Sequence, residues 1–473
     1  APDNGDGYAA TRRAVDHLLD GRKQIRDFSP APGDWSRRND RFKSALDPAL
    51  ESVILHHSPA LCRQLRLSEG EHLDTISLIK RVETPRRFVS TARVALDPLI
   101  RRLSAERPDD LARLRELAGS LEHSPVVESL AGEPGRTEHW AHYADFAWDT
   151  QLFYGPPERD EAALLEDDER RRAAEFTNTV RESCRSLGIG EPPPYYAILA
   201  ADGDGMGQLI GGMASPEEHI GLSNALADFA HEVEAIVTRH HGAPVYRGGD
   251  DVLAFLPLDS VLACADALRG RFRDTMPETA GQEATLSVGV AIVHYHEPLN
   301  EALAWARAAE RAAKRHGPRE KNGLAVALYT RSGGGAPTTV VQNWDETPAG
   351  PVADYWHPWI DAHREDALPD GAAYELRRLA DGFAGVAAHL ADPTALLQDE
   401  TRRILTGKRA GHGQHGLRGE QIAQIIGRIA RRRHAGAEEL RRIADEIIIA
   451  RRLARARDIA AGRPSRPAAA GAR

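Results

Sequence analysis

The sequence lacks several features that define common protein classes. Its 473 residues include only three cysteines, Cys62, Cys184 and Cys264, and no Cys-x-x-Cys pair. A disulfide scaffold and a zinc ribbon are therefore disfavoured, and this cysteine usage is typical of a cytoplasmic protein. Because no run of about 18 apolar residues is present, we expect no membrane span. The first residues have neither a basic start nor an apolar core, so they do not predict a signal peptide.

The charge distribution is uneven. The net charge is −9, yet residues 401–473 contain 18 Lys and Arg against 6 Asp and Glu. One interpretation is that this basic end faces an anionic partner, such as RNA or an acidic subunit. The alternative is a set of Arg-rich helix faces in solvent. The isoelectric point near 6.1 disfavours a protein that coats nucleic acid generally.

Changes in composition and pattern divide the chain into four parts. At roughly 100–200 residues per domain, a chain of this length predicts two to four domains. The predicted parts are an irregular and partly helical segment over 1–60, a mostly helical domain over 61–185, an α+β domain over 186–335 and a C-terminal helical domain over 336–473. Within them, the Gly/Pro/Thr-rich residues 334–350 predict a linker or an extended loop, and Pro464 to Arg473 predict a disordered tail.

The third part has the pattern of a ferredoxin-like fold. The predicted elements are a strand over 195–200, a helix over 217–239, a hairpin whose second strand is 252–256, a helix over 259–275, a strand over 285–293, a helix over 299–315 and a strand over 324–328. The order β-α-β-β-α-β is the ferredoxin-like arrangement, here extended by one helix and one strand. We therefore predict an α+β protein in which a ferredoxin-like domain is flanked by helical domains.

Two acidic, glycine-rich motifs follow or join the strands of this domain. The first is Asp202-Gly203-Asp204-Gly205-Met206-Gly207, and the second is Gly248-Gly249-Asp250-Asp251 in the hairpin turn. In a ferredoxin-like sheet the strands that carry them are neighbours, so Asp202, Asp250 and Asp251 can meet. Clustered carboxylates repel one another, and a divalent cation removes that penalty. Two Mg²⁺ ions at such a site can activate a 3′-hydroxyl and stabilise a leaving pyrophosphate.

Glycines and lysines near these motifs fit phosphate binding. Gly203, Gly205 and Gly207 allow backbone N–H groups to approach a triphosphate. Lys314, late in the helix before the last strand, and Lys321 beyond it are placed to reach the phosphates. Both lysines are equally well interpreted as ordinary surface residues.

Simpler interpretations of the motifs remain. Asp-Gly is common in turns, and Gly-Gly-Asp-Asp is compatible with a hairpin turn alone. A calcium-binding loop would need a Glu at its twelfth position, where this chain has Met213. The occurrence of both motifs, each at the end of a predicted strand, favours a metal and nucleotide site.

These motifs resemble those of a known family, the large subunit of type III CRISPR effector complexes. Residues 195–207 resemble its first palm motif, residues 245–257 resemble its GGDD motif, and residues 286–291 and the helix ending at Lys314 are also similar. Upstream, residues 43–54, 70–74, 78–81 and 88–92 resemble segments of the Cmr (type III-B) branch. The resemblance covers about residues 20–330 by motif and the C-terminal helices by position only.

The resemblance implies an activity, cofactors and partners. Family members have a palm domain of the nucleotidyl cyclase and polymerase type, similar to GGDEF domains. In antiviral defence they convert ATP to cyclic oligoadenylates when the guide RNA of the complex captures target RNA. By similarity, Asp202, Asp250 and Asp251 would be catalytic and would hold two Mg²⁺ or Mn²⁺ ions. Residues of both motifs and the two lysines would bind the nucleotide: Gly203, Asp204, Gly205, Met206, Gly207, Gly248, Gly249, Lys314 and Lys321. The implied partners are the other subunits, guide RNA and target RNA, in the cytoplasm.

The sequence departs from the family pattern in three respects. None of its 20 histidines is followed by Asp, so an HD nuclease domain and cleavage of single-stranded DNA are not expected. Residues 1–60 resemble only the tail of the family's first palm, so the composite ATP pocket would be incomplete. The family's zinc-binding cysteines are missing, so no zinc is expected.

These observations leave two main hypotheses. The chain is either a metal-dependent nucleotidyltransferase or a non-catalytic scaffold that binds a small subunit and RNA through its C-terminal helices. A diguanylate cyclase is disfavoured because Val252 and Leu253 follow Asp251. A template-dependent polymerase would need fingers and thumb features that the sequence does not show.

Overall fold

The structure is a computed structural model in which most of the chain is described. It describes residues 5–25, 42–54, 56–65, 67, 70–83, 89–130, 137–277, 284–315, 321–331, 336–344, 352–385, 389, 392–407, 416–431 and 435–463. The predicted tail from Pro464 and most of the predicted irregular segment near residue 30 lie outside these ranges. No helix within them is both long and apolar enough to cross a membrane.

The part of the chain before the palm region is mostly helical. Its elements are α1 (Gly5–Gln24), α2 (Pro59–Leu65), α3 (Thr75–Glu83), α4 (Thr91–Glu106), α5 (Pro108–Ser120), the paired two-residue strands β1 (Glu128–Ser129) and β2 (Trp148–Asp149), α6 (Arg159–Leu164) and α7 (Asp167–Ser186). Leu111, Leu114 and Leu117 on α5 are buried in one cluster with Phe176 of α7. Their three-residue spacing places them together on the core-facing side of α5.

The palm region is built on a six-stranded sheet. Its elements are β3 (Tyr195–Gly203), α8 (Met206–Gly212), α9 (Pro216–Arg239), β4 (Ala243–Gly248), β5 (Asp251–Leu256), α10 (Val261–Thr275), β6 (Leu286–His294), α11 (Leu299–Lys314), β7 (Gly323–Leu328) and β8 (Thr338–Asn343). The spatial order is β4-β5-β3-β6-β7-β8. The first four strands pair antiparallel in the ferredoxin-like order, and β7 then adds parallel to β6. The predicted α+β, palm-type fold is confirmed.

The two faces of the sheet pack against different helices. Alternate residues of β3, such as Leu199 and Ala201, join one cluster with α9, α10 and residues of the C-terminal part. The intervening residues, such as Ile198 and Ala200, join a second cluster with α4 and α11. Side chains that alternate in this way along a strand are expected for a sheet buried on both faces.

Helix α11 lies unusually close to the sheet. A Cβ placed on Gly289 of β6 would overlap the backbone nitrogen of Glu310, and one placed on Gly323 of β7 would overlap the carbonyl oxygen of Ala313. Only glycine fits at both positions, because backbone contacts backbone. The last two turns of α11 are therefore held firmly at the end of the sheet where β3 ends.

The C-terminal part is helical and packs against the palm. Its helices are α12 (Val352–Arg364), α13 (Asp370–Ala384), α14 (Pro393–Gly407), α15 (Gly419–Arg431) and α16 (Gly436–Ala460). The apolar face of α15 is packed into the core, since Ile422, Ile425, Ile426 and Ile429 are all buried. Helix α16 is buried around most of its circumference and contacts α4, α12, α13 and β8.

One prediction for this part is wrong. The composition of residues 334–350 predicts a linker or an extended loop, but Thr338–Asn343 form β8, which pairs with β7 along its whole length. The neighbouring glycines and Pro337 resemble a loop in composition. The strand itself is rich in β-branched residues, and Val340 and Gln342 are almost fully buried.

The basic C-terminal end differs from the alternative of Arg-rich helix faces in solvent. Many of its arginines bind groups of this chain. Arg428 pairs with Glu439 and Glu446, Arg455 donates to the carbonyl oxygen of Glu191, and Arg452 stacks over the ring of Tyr195. The positive charge in the sequence therefore serves internal contacts in large part.

Candidate active site

The two acidic motifs meet at one end of the palm sheet. Strands β3 and β5 pair antiparallel up to Ala201 and Val252, so the next residues along the two strands are Asp202 and Asp251. Directly opposed residues of an antiparallel pair point to the same face. Both carboxylates consequently belong to the face that α11 covers, as Ile198 and Ala200 do.

The second motif forms the tight turn between β4 and β5. Gly248 pairs with Asp251, and Gly249 and Asp250 are the two turn residues between them. Gly249 has a φ of 71°, whereas Asp250 has no positive φ. Glycine at the first central position is the pattern of a type II′ turn, which matches the twist of a hairpin. The turn directs Asp250 toward the first motif.

The contact between the two motifs is close. A Cβ on Gly203 would lie 2.8 Å from the Cβ of Asp250, 3.0 Å from Asp250 Oδ2 and 2.9 Å from Met206 Cγ. Glycine is therefore required at 203 for the hairpin to reach this position, a steric reason that differs from the predicted role in binding phosphate.

Asp204 anchors the loop of the first motif through its side chain and its backbone. Its side chain accepts hydrogen bonds from Thr285 Oγ1 (2.8 Å), Ser287 Oγ (2.8 Å) and the Asn322 backbone N–H (2.9 Å). Its own N–H donates to the Thr285 carbonyl oxygen. Burial raises the pKa of Asp204, and these hydrogen bonds act in the opposite direction. Asp204 thus fixes the first motif to β6 and to the segment before β7.

Lys321 lies over the glycines of the first motif. Gly205 has a φ of 72°, and a Cβ there would lie 3.3 Å from Lys321 Nζ. Lys321 itself has a φ of 91°, a conformation that side-chain-bearing residues rarely adopt and that occurs often at functional sites. Gly207 on the following helix α8 has no neighbour within 4 Å of a Cβ position, and Met206 is buried.

Lys314 binds Asp202 directly. Its ammonium contacts Asp202 Oδ2 and lies 2.9 Å from Glu310 Oε1, one turn earlier on α11. About 30% of the Asp202 side chain and 29% of the Lys314 side chain are exposed, so the pair is open to solvent on one side. Burial lowers the pKa of Lys314, and the positive charge of Lys321 adds to this effect.

Glu310 is a further acidic residue of the site that the sequence did not reveal. Burial raises its pKa, and the negative charges of Asp251 and Asp204 raise it further. Burial likewise raises the pKa of Asp250, with a contribution from Asp251. The only sequence signal for the role of Glu310 is its spacing of four residues from Lys314, which places both on one helix face.

The donor set suits a hard divalent cation, although its present arrangement is not that of a metal site. Carboxylate oxygens are the ligands that Mg²⁺ and Mn²⁺ prefer. Within the described parts of the chain, no group of three or more His, Cys, Asp or Glu side chains is arranged to hold a metal ion. The charge of Asp202 is instead neutralised by Lys314.

Comparison with known proteins finds relatives of this region. The family described as "Cas10/Cmr2, second palm domain" matches residues 195–325. The palm region is therefore similar to the second palm domain of that family. "CRISPR system Cmr subunit Cmr2" of Pyrococcus furiosus is 32% identical to this chain over an alignment of 195 residues. The alignment covers 36% of this chain and 22% of that protein. The chain therefore matches only about a fifth of the length of this relative.

A solved structure is similar to this chain over a region wider than the palm. The cryo-EM structure of the type III-B Cmr-beta bound to cognate target RNA contains a chain of similar fold, with a TM-score of 0.52 and 15% identity. The similarity covers 87% of this chain and 58% of that chain. It therefore extends the shared fold beyond the Cas10/Cmr2 palm to the helical parts on both sides.

Proposed function

We propose that this chain is part of the large subunit of a type III CRISPR RNA-guided effector complex, and that its palm synthesises cyclic oligoadenylates from ATP when the complex binds target RNA. The observation that carries the proposal is the meeting of the two motifs, with Asp250 packed on Gly203 and Asp251 next to Asp202 at the sheet end. A site for polyphosphate chemistry needs clustered carboxylates beside a loop with little steric bulk.

The residues of the chain divide into three roles in this proposal. Asp202, Asp250 and Asp251 would hold Mg²⁺ or Mn²⁺, and the bound ions would supply charge neutralisation for attack of a 3′-hydroxyl on an α-phosphorus with release of pyrophosphate. Gly205 leaves its backbone accessible, and the ammonium of Lys321 above it would bind triphosphate oxygens. Asp204 holds the loop in register through β6.

The other subunits, guide RNA and target RNA are proposed partners, and the cytoplasm is the proposed location. The relative from Pyrococcus furiosus is by name a Cmr subunit, and the chain of similar fold belongs to a Cmr-beta structure bound to cognate target RNA. Both names support a multi-subunit, RNA-binding setting for this chain.

The test is product formation by the complete assembly. The full chain, combined with the other subunits, guide RNA, target RNA, ATP and Mg²⁺, is expected to give cyclic oligoadenylates that chromatography and mass spectrometry identify. Asp250→Asn with Asp251→Asn should abolish the product, while the exposed Asp228→Asn on α9 is the matched control and should retain it.

Two outcomes would contradict the proposal. An assembly that forms, binds target RNA and yields no product with the unmodified chain would favour the non-catalytic scaffold. Undiminished product with the double variant would place the chemistry at another site.

A further inference from the structure

The environment of Lys314 indicates how the site is controlled before it binds a metal ion. We propose that Lys314 acts as an internal counter-cation for Asp202, which divalent cations must displace, and that Glu310 is the positioning residue that keeps it there. The inference rests on the proposed function, since it concerns the same carboxylates, and it adds a mechanism of regulation.

The contacts support a specific arrangement. The Lys314 ammonium lies between Asp202 on β3 and Glu310 on α11 and forms an ion pair with each. The Glu310 side chain is only 15% exposed, and its backbone is fixed by the close contact of α11 with Gly289. Glu310 is therefore held rigidly, whereas the lysine has a long, flexible side chain that can leave.

The ammonium and a divalent cation compete for the same charge. A carboxylate that binds Mg²⁺ or Mn²⁺ cannot also keep a close ion pair with a lysine without strong repulsion between the two cations. The need to displace Lys314 therefore makes the free energy of metal binding less favourable. The cost falls when a nucleotide is present, because triphosphate oxygens offer the released ammonium a new partner.

The position of Lys321 supports this exchange. Its backbone N–H donates to the carbonyl oxygen of Lys314 at 2.6 Å, and its own ammonium lies over Gly205 of the first motif. A triphosphate on that loop would thus lie near both lysines. Metal and nucleotide binding would then favour one another, since each interaction removes a cost of the other.

The test measures binding of Mn²⁺ alone to the full chain by calorimetry, without nucleotide. We expect Lys314→Gln to bind Mn²⁺ about tenfold more tightly than the unmodified chain, which corresponds to removal of one competing charge. Arg315→Gln is the matched control, because it removes one exposed positive charge at the next position, and it should change the affinity less than about twofold.

The role of Glu310 is tested by a double-mutant cycle. If Glu310 acts only by holding Lys314, its replacement should change the Mn²⁺ affinity of the unmodified chain. The same replacement should leave the Mn²⁺ affinity unchanged once Lys314 is replaced by Gln. A loss of Mn²⁺ affinity of equal size in both backgrounds would overturn the positioning role and make Glu310 a metal ligand. Circular dichroism of each variant checks that the fold is retained, and Lys314→Met provides a second replacement.

The outcomes separate this inference from the proposed function. Mn²⁺ affinity that depends on Asp250 and Asp251 but is unchanged or weaker in Lys314→Gln would overturn the counter-cation role alone. No Mn²⁺ binding by the unmodified chain or by Lys314→Gln would overturn both proposals.

Discussion

Gly203 and Asp250 are in such close contact that the smallest side chain at 203 would collide with the second motif. The Cβ of an alanine there would lie 2.8 Å from Asp250 Cβ. Gly203→Ala is therefore expected to push the hairpin away from the first motif. We predict a stability loss of about 1–3 kcal/mol, typical of overpacking, and loss of ATP binding in calorimetry.

Gly211→Ala is the control for this prediction. Gly211 lies in α8 without a positive φ, and no atom lies within 4 Å of its Cβ position. Alanine there should leave ATP binding unchanged and stabilise the helix by up to about 1 kcal/mol. Equal behaviour of the two variants would contradict the steric role of Gly203.

Ser287 should matter because it holds Asp204. Its fully buried hydroxyl donates to the Asp204 carboxylate. Ser287→Ala removes this donor, and we predict a loss of about 1–2 kcal/mol in stability together with weaker ATP binding, because the first motif loses an attachment to β6. Thermal melting and calorimetry measure the two effects.

Ser183→Ala is a matched control for Ser287→Ala. Ser183 is also buried and donates to a carboxylate, that of Asp110, but it lies on α7. Its replacement should cost similar stability and leave ATP binding intact. If both variants weaken ATP binding alike, the loss reflects general destabilisation and not the anchoring of Asp204.

The sequence predicted the palm well because its signals are local. The strand that ends at Asp202 and the Gly-Gly-Asp-Asp turn depend on apolar runs and on turn chemistry. The sequence did not reveal that Asp204 binds Ser287, or that Lys314 contacts both Asp202 and Glu310. These relationships depend on how closely α11 approaches the sheet, which Gly289 permits and no periodicity expresses.

The C-terminal part shows the same limit. The charge balance of the sequence does not reveal that the fully buried Glu446 accepts hydrogen bonds from Arg428, Tyr355 Oη and Trp359 Nε1. A hydrophilic residue in a helix looks the same in sequence whether it faces solvent or a buried partner. The bonding of these residues follows from the packing of α12, α15 and α16, which is non-local.

Arg428→Met tests the importance of this buried network. The substitution leaves the Glu446 charge without its main partner inside the protein, so we predict a loss of about 3–5 kcal/mol, visible as a lower melting temperature. Arg418→Met is the control, because Arg418 is 71% exposed and 3.6 Å from Glu365. Its effect should stay within about 1 kcal/mol, and a similar loss for both would contradict the assignment.

Asp445 should make stability depend on pH. Burial raises its pKa to about 6, although Arg377 lies 3.2 Å away. A carboxyl whose pKa is higher in the folded state favours folding when it is protonated. That contribution is complete below the unfolded pKa of 3.8 and is lost as pH rises through about 6.

The measurement for Asp445 is the melting temperature between pH 4 and 7. Relative to that of Asp445→Asn, the free energy of unfolding of the unmodified chain should fall by about 2 kcal/mol as the pH rises across this range. The comparison with Asp445→Asn isolates this residue, since other groups titrate equally in both proteins. An identical pH profile for the two proteins would show that Asp445 ionises normally.

A calorimetric titration of the full chain with ATP in the presence of Mn²⁺ tests the site of the paired motifs most directly. We predict binding by the unmodified chain and by the control Asp228→Ala with Asp274→Ala, which removes two exposed carboxylates elsewhere in the palm. We predict no binding by Asp250→Ala with Asp251→Ala. Equal binding by that double variant would contradict the assignment of a metal and nucleotide site to the paired motifs.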